Sequence, residues 1–281
     1  MNRFMRHAQP LLLAAAFLWL YAAPAQADGP DASTSAAATS PPVATDDDSG
    51  FTILNNATNV THWGLGAGTG YRQQPYTGDG AKFTPIPLFY FDDKWVHALG
   101  TTLDLKIGKW AGVAFSLRGK YALGDGYDGS DAPILNGMQD RKGAFWYGPA
   151  FSWQSTYGTL TGDFLASANK GQQAHIEFGK SFQYGKLGIE PHVGAEWLSH
   201  TYVDYYYGVR ASEAQPGRPA YTGTSTIDVS LGARFNYSFT THQSATVDIG
   251  VARLGGGITD SPLVDRKFIP QATVGYLYRF N

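Results

Sequence analysis

The side chains that could do chemistry are few. Ser199 and His200 are adjacent and Glu196 lies just upstream, so a nucleophile, a base and a carboxylate fall within five residues. Acyl transfer needs these groups in spatial contact, with the base oriented by a third group. Adjacent residues on a strand point to opposite faces, which works against a triad, so His200 reads as a solvated loop histidine. His175 with Glu177, and Glu190 with His192, each place two metal-ligand types two residues apart, hence on one strand face. Two ligands fall short of the three or four that a metal site needs. Gly64, Gly66, Gly68 and Gly70 imitate a nucleotide loop, but no βαβ unit surrounds them. Glycine on one strand face more simply makes room for neighbouring bulk. No catalytic residue, metal site or cofactor is therefore expected, and the chain reads as non-enzymatic.

The elements that position these residues are strands. From Thr226 to Thr240, Ile227, Val229, Leu231, Ala233, Phe235, Tyr237 and Phe239 alternate with small and polar residues without a missed position. Strict period-two alternation over that length exceeds an ordinary soluble strand and matches the roughly 9 to 11 tilted residues that cross a bilayer. Leu187–Trp197 and Phe268–Phe280 repeat the pattern, and weaker versions bring the count to about eleven. A single-chain bacterial barrel has an even number of strands. The missing one is expected before Gly108, in Phe51–Asn59 or within Trp95–Ile107, giving twelve strands, with ten the alternative. Tight links at Gly108-Lys109-Trp110, Thr156-Tyr157-Gly158, Gly185-Lys186 and Thr241-His242 alternate with long polar ones at Gly124–Lys142, Ser199–Ser225 and Gly255–Lys267. Short turns belong to the periplasm and long loops to the outside. The fold class is thus all-β: a single-domain, antiparallel, up-and-down transmembrane β-barrel.

Export agrees with that reading. Arg3, Arg6 and His7 precede an apolar run from Leu11 to Ala23 and the triplet Ala25-Gln26-Ala27. This is a signal peptide over residues 1–27, with cleavage between Ala27 and Asp28. Residues 28–50, rich in Ala, Ser, Thr, Pro and Asp, read as a disordered periplasmic tether, and residues 51–281 as the barrel. The chain holds no cysteine, so neither a disulfide framework nor a lipoprotein anchor is available to it. Its 34 Gly, 17 Tyr, 16 Phe and 7 Trp, with only 16% charged residues, suit tight turns and interfacial aromatic belts. A formal net charge of -2 argues against nucleic acid as a partner. A soluble sandwich or lipocalin-like barrel would also alternate, but with its apolar face inward and without aromatics gathered at strand ends.

If the apolar face meets lipid, the lumen receives Asp104, Lys106, Arg118, Lys120, Asp163, His175, Glu177, Glu190, His192, Glu196, Asp228, Arg234, Asp248 and Arg279. An unpaired buried charge is costly, so opposed charges in a narrow barrel are expected to pair and seal it, with a small polar pore as the alternative. The loop Ser199–Ser225 carries Tyr205, Tyr206, Tyr207, Arg210 and Tyr221, a composition that suits a contact surface or an inward fold that constricts the lumen.

The segments GLGAGTGYRQQPYTGDG (64–80), FTPIPLFYFDDKW (83–95), YYYGVRASEAQPGRPAY (205–221) and ITDSPLVDRK (258–267), with the closing VGYLYRF, resemble the MipA/OmpV family of outer-membrane proteins. The resemblance spans nearly all of the chain after residue 60. It implies an outer-membrane barrel embedded in lipid and lipopolysaccharide. It also implies a scaffold that links a murein lytic transglycosylase to a penicillin-binding protein, with surface adhesin or antigen, passive channel and lipid-modifying enzyme as alternative roles. No catalytic motif of the resemblance can be matched residue by residue.

Overall fold

The computed structural model describes residues 52–53, 59–123 and 126–280. The expected cleavage site at Ala27–Asp28 and the tether at 28–50 lie outside them. Twelve antiparallel strands close into a barrel. In chain order the strands are β1 (Thr52–Ile53), β2 (His62–Gln73), β3 (Ala81–Asp92), β4 (Val96–Leu99), β5 (Thr102–Trp110), β6 (Val113–Tyr121), β7 (Phe145–Ser155), β8 (Gly158–Ser167), β9 (Gly171–Gly179), β10 (Phe182–Tyr184), β11 (Leu187–Leu198), β12 (Thr226–Ser238), β13 (Gln243–Arg253) and β14 (Phe268–Arg279). β1 only edges β5 at Gly108 and Lys109, and β10 extends the pairing of β9 along β11. The ring shuts where β14 pairs with β2, from Gln271↔Arg72 to Arg279↔Gly64. At this seam Phe280 donates its N–H to the Trp63 carbonyl at 2.9 Å, and the two rings stack at 4.1 Å.

The twelfth strand lies within Trp95–Ile107, which is two strands rather than one. A tight turn with Gly100 at φ +59° joins Leu99 to Thr102. Ala98 pairs with Phe91 on one side and Leu103 on the other, so the outward positions change from even to odd across the turn. Four residues of β4 are too few to display that slip in the sequence. A second difference concerns Gly108-Lys109-Trp110, expected as a turn. β5 runs on through these residues past a bulge between Lys106 and Gly108. The turn is Ala111-Gly112, both at positive φ (+48° and +77°), the backbone that a two-residue hairpin between twisted strands requires.

The outer wall inverts the pattern of a soluble protein. Leu65, Phe89, Leu117, Ile176, Val193, Leu231, Ile249 and Val274 are all exposed on it. Trp63, Trp95, Trp110, Trp153, Tyr157 and Tyr184 crowd the end that carries the short turns, and Phe83, Tyr121, Phe145 and Phe268 the opposite end. These are the two interfacial girdles that flank an apolar band. The apolar core of the protein therefore sits inside one end of the barrel. There α1 (His200–Tyr207), α2 (Gly256–Thr259) and the segments 74–80, 126–144 and 254–267 fold inward around Tyr76, Leu135, Trp146, Val203, Ile258 and Leu263.

Candidate functional site

The lumen is filled from two sources, and the first is the strands themselves. Asp104 stands opposite Arg118 in the β5–β6 register, and its two oxygens accept from Nε at 2.7 Å and Nη2 at 2.6 Å. Arg118 Nη1 passes across β7 to Asp163 on β8, at 2.9 Å. Arg118 is 3% exposed, so this is a guanidinium shared between two carboxylates away from bulk water. The second group centres on Arg234, flanked in register by Glu190 on β11 and Asp248 on β13, which it bonds at 2.6 and 3.0 Å. Its remaining nitrogen points at Glu177 at 3.5 Å. His192 sits between Glu177 and Asp248, 3.4 Å from each. Gly232 makes room for that ring: a Cβ there would lie 2.6 Å from His192 Cε1.

The second filling is the plug of loops. Ser199 caps α1, its Oγ accepting the N–H groups of Gln172 at 2.9 Å and Tyr202 at 3.3 Å. Gly171, at φ +90°, must be glycine there, since a Cβ would meet that oxygen at 2.5 Å. On the far side of the plug, Arg141 binds both oxygens of Glu213 at 3.0 and 3.2 Å and the Tyr205 carbonyl at 2.8 Å. Arg218, 2% exposed, ties the Glu213 carbonyl to that of Asn136. Tyr76 Oη donates to the Tyr206 carbonyl at 3.3 Å and Ser261 Oγ to the Tyr207 carbonyl at 2.6 Å, so four loops are stitched together. Burial pulls the Glu213 carboxyl upward, but N–H donors from Gln139 and Arg210 and the charge of Arg141 outweigh it and leave the group below its ordinary 4.5. Burial pushes the Tyr127 hydroxyl, inside the same plug, up to about 12.

The strand carboxylates and cations expected in the lumen divide unevenly between these structures. Asp104, Arg118 and Asp163 form one group and Glu177, Glu190, His192, Arg234 and Asp248 the other. Lys120, His175, Glu196 and Asp228 line a cavity between the second group and the plug. Lys106 pairs with Asp92 near a periplasmic turn, and Arg279 reaches the Thr241 carbonyl at the barrel's edge, so neither joins these groups. Of the two arrangements expected for the 199–225 loop, the inward fold describes Tyr206 and Tyr207. Tyr206 and Tyr207 are buried in the plug because α1 turns that face toward Trp146 and Tyr76; Tyr205 is half-buried and Arg210 exposed. Ser199 and His200 are no catalytic pair either, since the serine oxygen caps the helix and His200, exposed, neighbours Thr201. Sequence reading missed Arg141 and Glu213. Both lie in long loops where alternation gives no signal.

A closed twelve-stranded barrel, apolar outside, charged inside and stoppered by its own long loops, defines an outer-membrane barrel protein. The model of the family described as MltA-interacting protein MipA matches residues 65–280, and the chain belongs to that family. The MltA-interacting protein of Escherichia coli K12 is 27% identical over 248 residues, covering 81% of this chain and 96% of the relative. Outer membrane protein OmpV of Vibrio cholerae is 29% identical over 165 residues, 56% of this chain and 64% of its own. Among solved structures, the CymD monoaromatic hydrocarbon channel superposes on 78% of this chain and 89% of its own with a TM-score of 0.34 at 10% identity. The protein is an outer-membrane component.

Proposed function

We propose that this protein is a non-catalytic scaffold of the outer membrane that holds a murein lytic transglycosylase, and through it a penicillin-binding protein, against the periplasmic face of the barrel. The observation that carries the reading is the filled lumen. A transport pore needs a continuous aqueous path, whereas here ion pairs between strands and a packed apolar plug occupy the interior. A scaffold needs only a rigid wall and accessible turns. The Ser199 oxygen accepts the N–H groups of Gln172 and Tyr202, so the lone pairs of the strongest sequence candidate for a nucleophile are engaged in capping α1. The name of the Escherichia coli relative supplies the partner class.

Affinity capture of the full-length protein from solubilised envelopes tests the reading. Recovery of a lytic transglycosylase is the expected result, and recovery of neither enzyme class overturns it. Planar-bilayer recording supplies the complementary test: the scaffold reading expects no discrete conductance steps from the wild-type barrel, and stable unitary steps point to a channel.

A further inference from the structure

Between the Arg234 group and the plug lies a cavity of about 110 Å³. Its wall is built by residues of β2, β6, β8, β9 and β11 to β14, and its roof by the plug residues Tyr202, Tyr207 and Leu254. Of the five acidic side chains on this wall, Asp163 belongs to the Arg118 group and Glu177 and Asp248 to the Arg234 group, which leaves Asp228 and Glu196 outside both. Two of its groups are short of donors. Asp228 stands directly opposite Glu196 in the β11–β12 register, a like-charge pairing that costs stability. Asp228 is 9% exposed, its carboxylate accepts the Gly255 N–H at 2.8 Å, it stands in no short ion pair among the described residues, and it feels the charge of Arg72, which lines the same chamber. Gln173, two pairing rows nearer the plug, is 1% exposed, and its Oε1 has no hydrogen-bond partner. A buried acceptor without a donor costs roughly 1–3 kcal/mol.

We propose that this chamber is a binding site for a small organic ammonium ion, seated between the Asp228 carboxylate, the Gln173 amide oxygen and the tyrosine roof. The chemistry of the walls selects that class. An ammonium supplies N–H donors for the Asp228 carboxylate and the Gln173 amide oxygen, a positive charge for the opposed Asp228 and Glu196 carboxylates, and an alkyl part for Leu198, Leu254 and the rings of Tyr202 and Tyr207. A metal ion is disfavoured by geometry, because no three acidic or histidine side chains stand at ligating spacing among the described residues. The volume admits a handful of non-hydrogen atoms and excludes long polyamines. The proposal is independent of the scaffold reading: the site faces the lumen, and its failure leaves the periplasmic face untouched.

The test is calorimetric titration of the refolded, full-length protein in detergent with ethylammonium chloride, against sodium, magnesium and tetraethylammonium chlorides at matched ionic strength. Saturable binding in the millimolar range is expected for ethylammonium alone. Asp228→Asn keeps the acceptor for Gly255 and loses the charge, and should weaken binding about ten-fold, the scale of one charge-assisted hydrogen bond. Glu196→Gln is the second variant, with a smaller loss expected, and keeps the test decisive if Asp228→Asn refolds poorly. Absence of saturation, which leaves only water in the chamber, overturns the proposal. So does an equal response to magnesium, or unchanged affinity in both variants.

Discussion

The strand-borne charge groups and the loop-built plug fill the same lumen by opposite physics. Around Arg118 and Arg234 the partners come from the strands: Asp104, Glu190 and Asp248 are directly cross-strand, and Asp163 and Glu177 are two strands away. In the plug, Arg141 finds Glu213 across 72 residues of sequence and the packing is mainly apolar, with Leu135, Val203, Ile258 and Leu263 wholly buried. The first filling is part of the wall and cannot leave without breaking the barrel. The second is an insert of loops whose apolar cluster leans on the wall at Trp146, Leu165, Leu198 and Ile269, and which can loosen without breaking the ladder of strand pairs. Stability of the barrel should therefore respond to the charge groups, and access to the lumen to the plug.

The largest effect that would break this division comes from Arg118. Replacing it by alanine strands Asp104 and Asp163 together, two carboxylates with little water, and should cost about 3–5 kcal/mol of barrel stability. Denaturant titration of the protein refolded into lipid measures this, read by the loss of the heat-modifiable band on electrophoresis. The triple replacement Arg118→Met, Asp104→Asn, Asp163→Asn should restore most of the loss, since it leaves no charge unpaired. If the single variant is as stable as wild type, the strand group is not what holds the wall.

Next in size is Leu135→Ala. Leu135 is 0% exposed at the centre of the plug, and the truncation should cost about 2–5 kcal/mol of plug stability. The barrel midpoint should stay near wild type, while external protease cuts the 126–144 loop faster and brief conductance steps appear. A drop in the barrel midpoint as large as for Arg118→Ala would merge the two regions into one cooperative unit.

The same division explains what the sequence disclosed. Register and alternation act over two to four residues, so the lumenal positions of Asp104, Arg118, Arg234 and Asp248 follow from period two alone. The strand hidden in Trp95–Ile107 did not, because β4 is four residues long and its turn reverses the parity. The plug was outside the reach of any period. Tyr206 and Tyr207 looked like contact residues since nothing local says that a loop tyrosine will meet Tyr76 or Trp146. The segments 64–80, 205–221 and 258–267, which carry the family resemblance, supply much of this plug, joined by the Tyr76–Tyr206, Ser261–Tyr207 and Tyr221–Gly257 hydrogen bonds. The other segments of the resemblance, 83–95 and the closing VGYLYRF, lie in β3 and β14, so the likeness extends to the wall as well.

A smaller effect is a pH dependence confined to the plug. The Glu213 carboxyl is depressed below its ordinary 4.5 in the folded protein, so its ion pair with Arg141 contributes stability that is complete at neutral pH. That contribution declines as pH falls below about 4.5 through the folded value, where the carboxylate takes up a proton. Protease access to the 126–144 loop should rise over that acid range in the wild type. In Glu213→Gln it should be raised already at pH 7 and change little on acidification. A variant that keeps the full acid response would place the switch elsewhere.

The smallest expected effect sharpens the comparison from outside the lumen. Lys142 pairs with Asp128 at 2.5 Å and Asp140 at 3.4 Å, a geometry as good on paper as that of Arg118. Its side chain is 52% exposed, however, and solvent-exposed ion pairs gain little because water screens the attraction and two long side chains lose freedom. Lys142→Ala should therefore shift neither the barrel midpoint nor plug protection beyond error, in low salt or high. A loss comparable to Arg118→Ala would mean that distance, rather than exclusion of water, sets the worth of a charge pair in this protein, and the contrast between wall and plug would rest on the wrong variable.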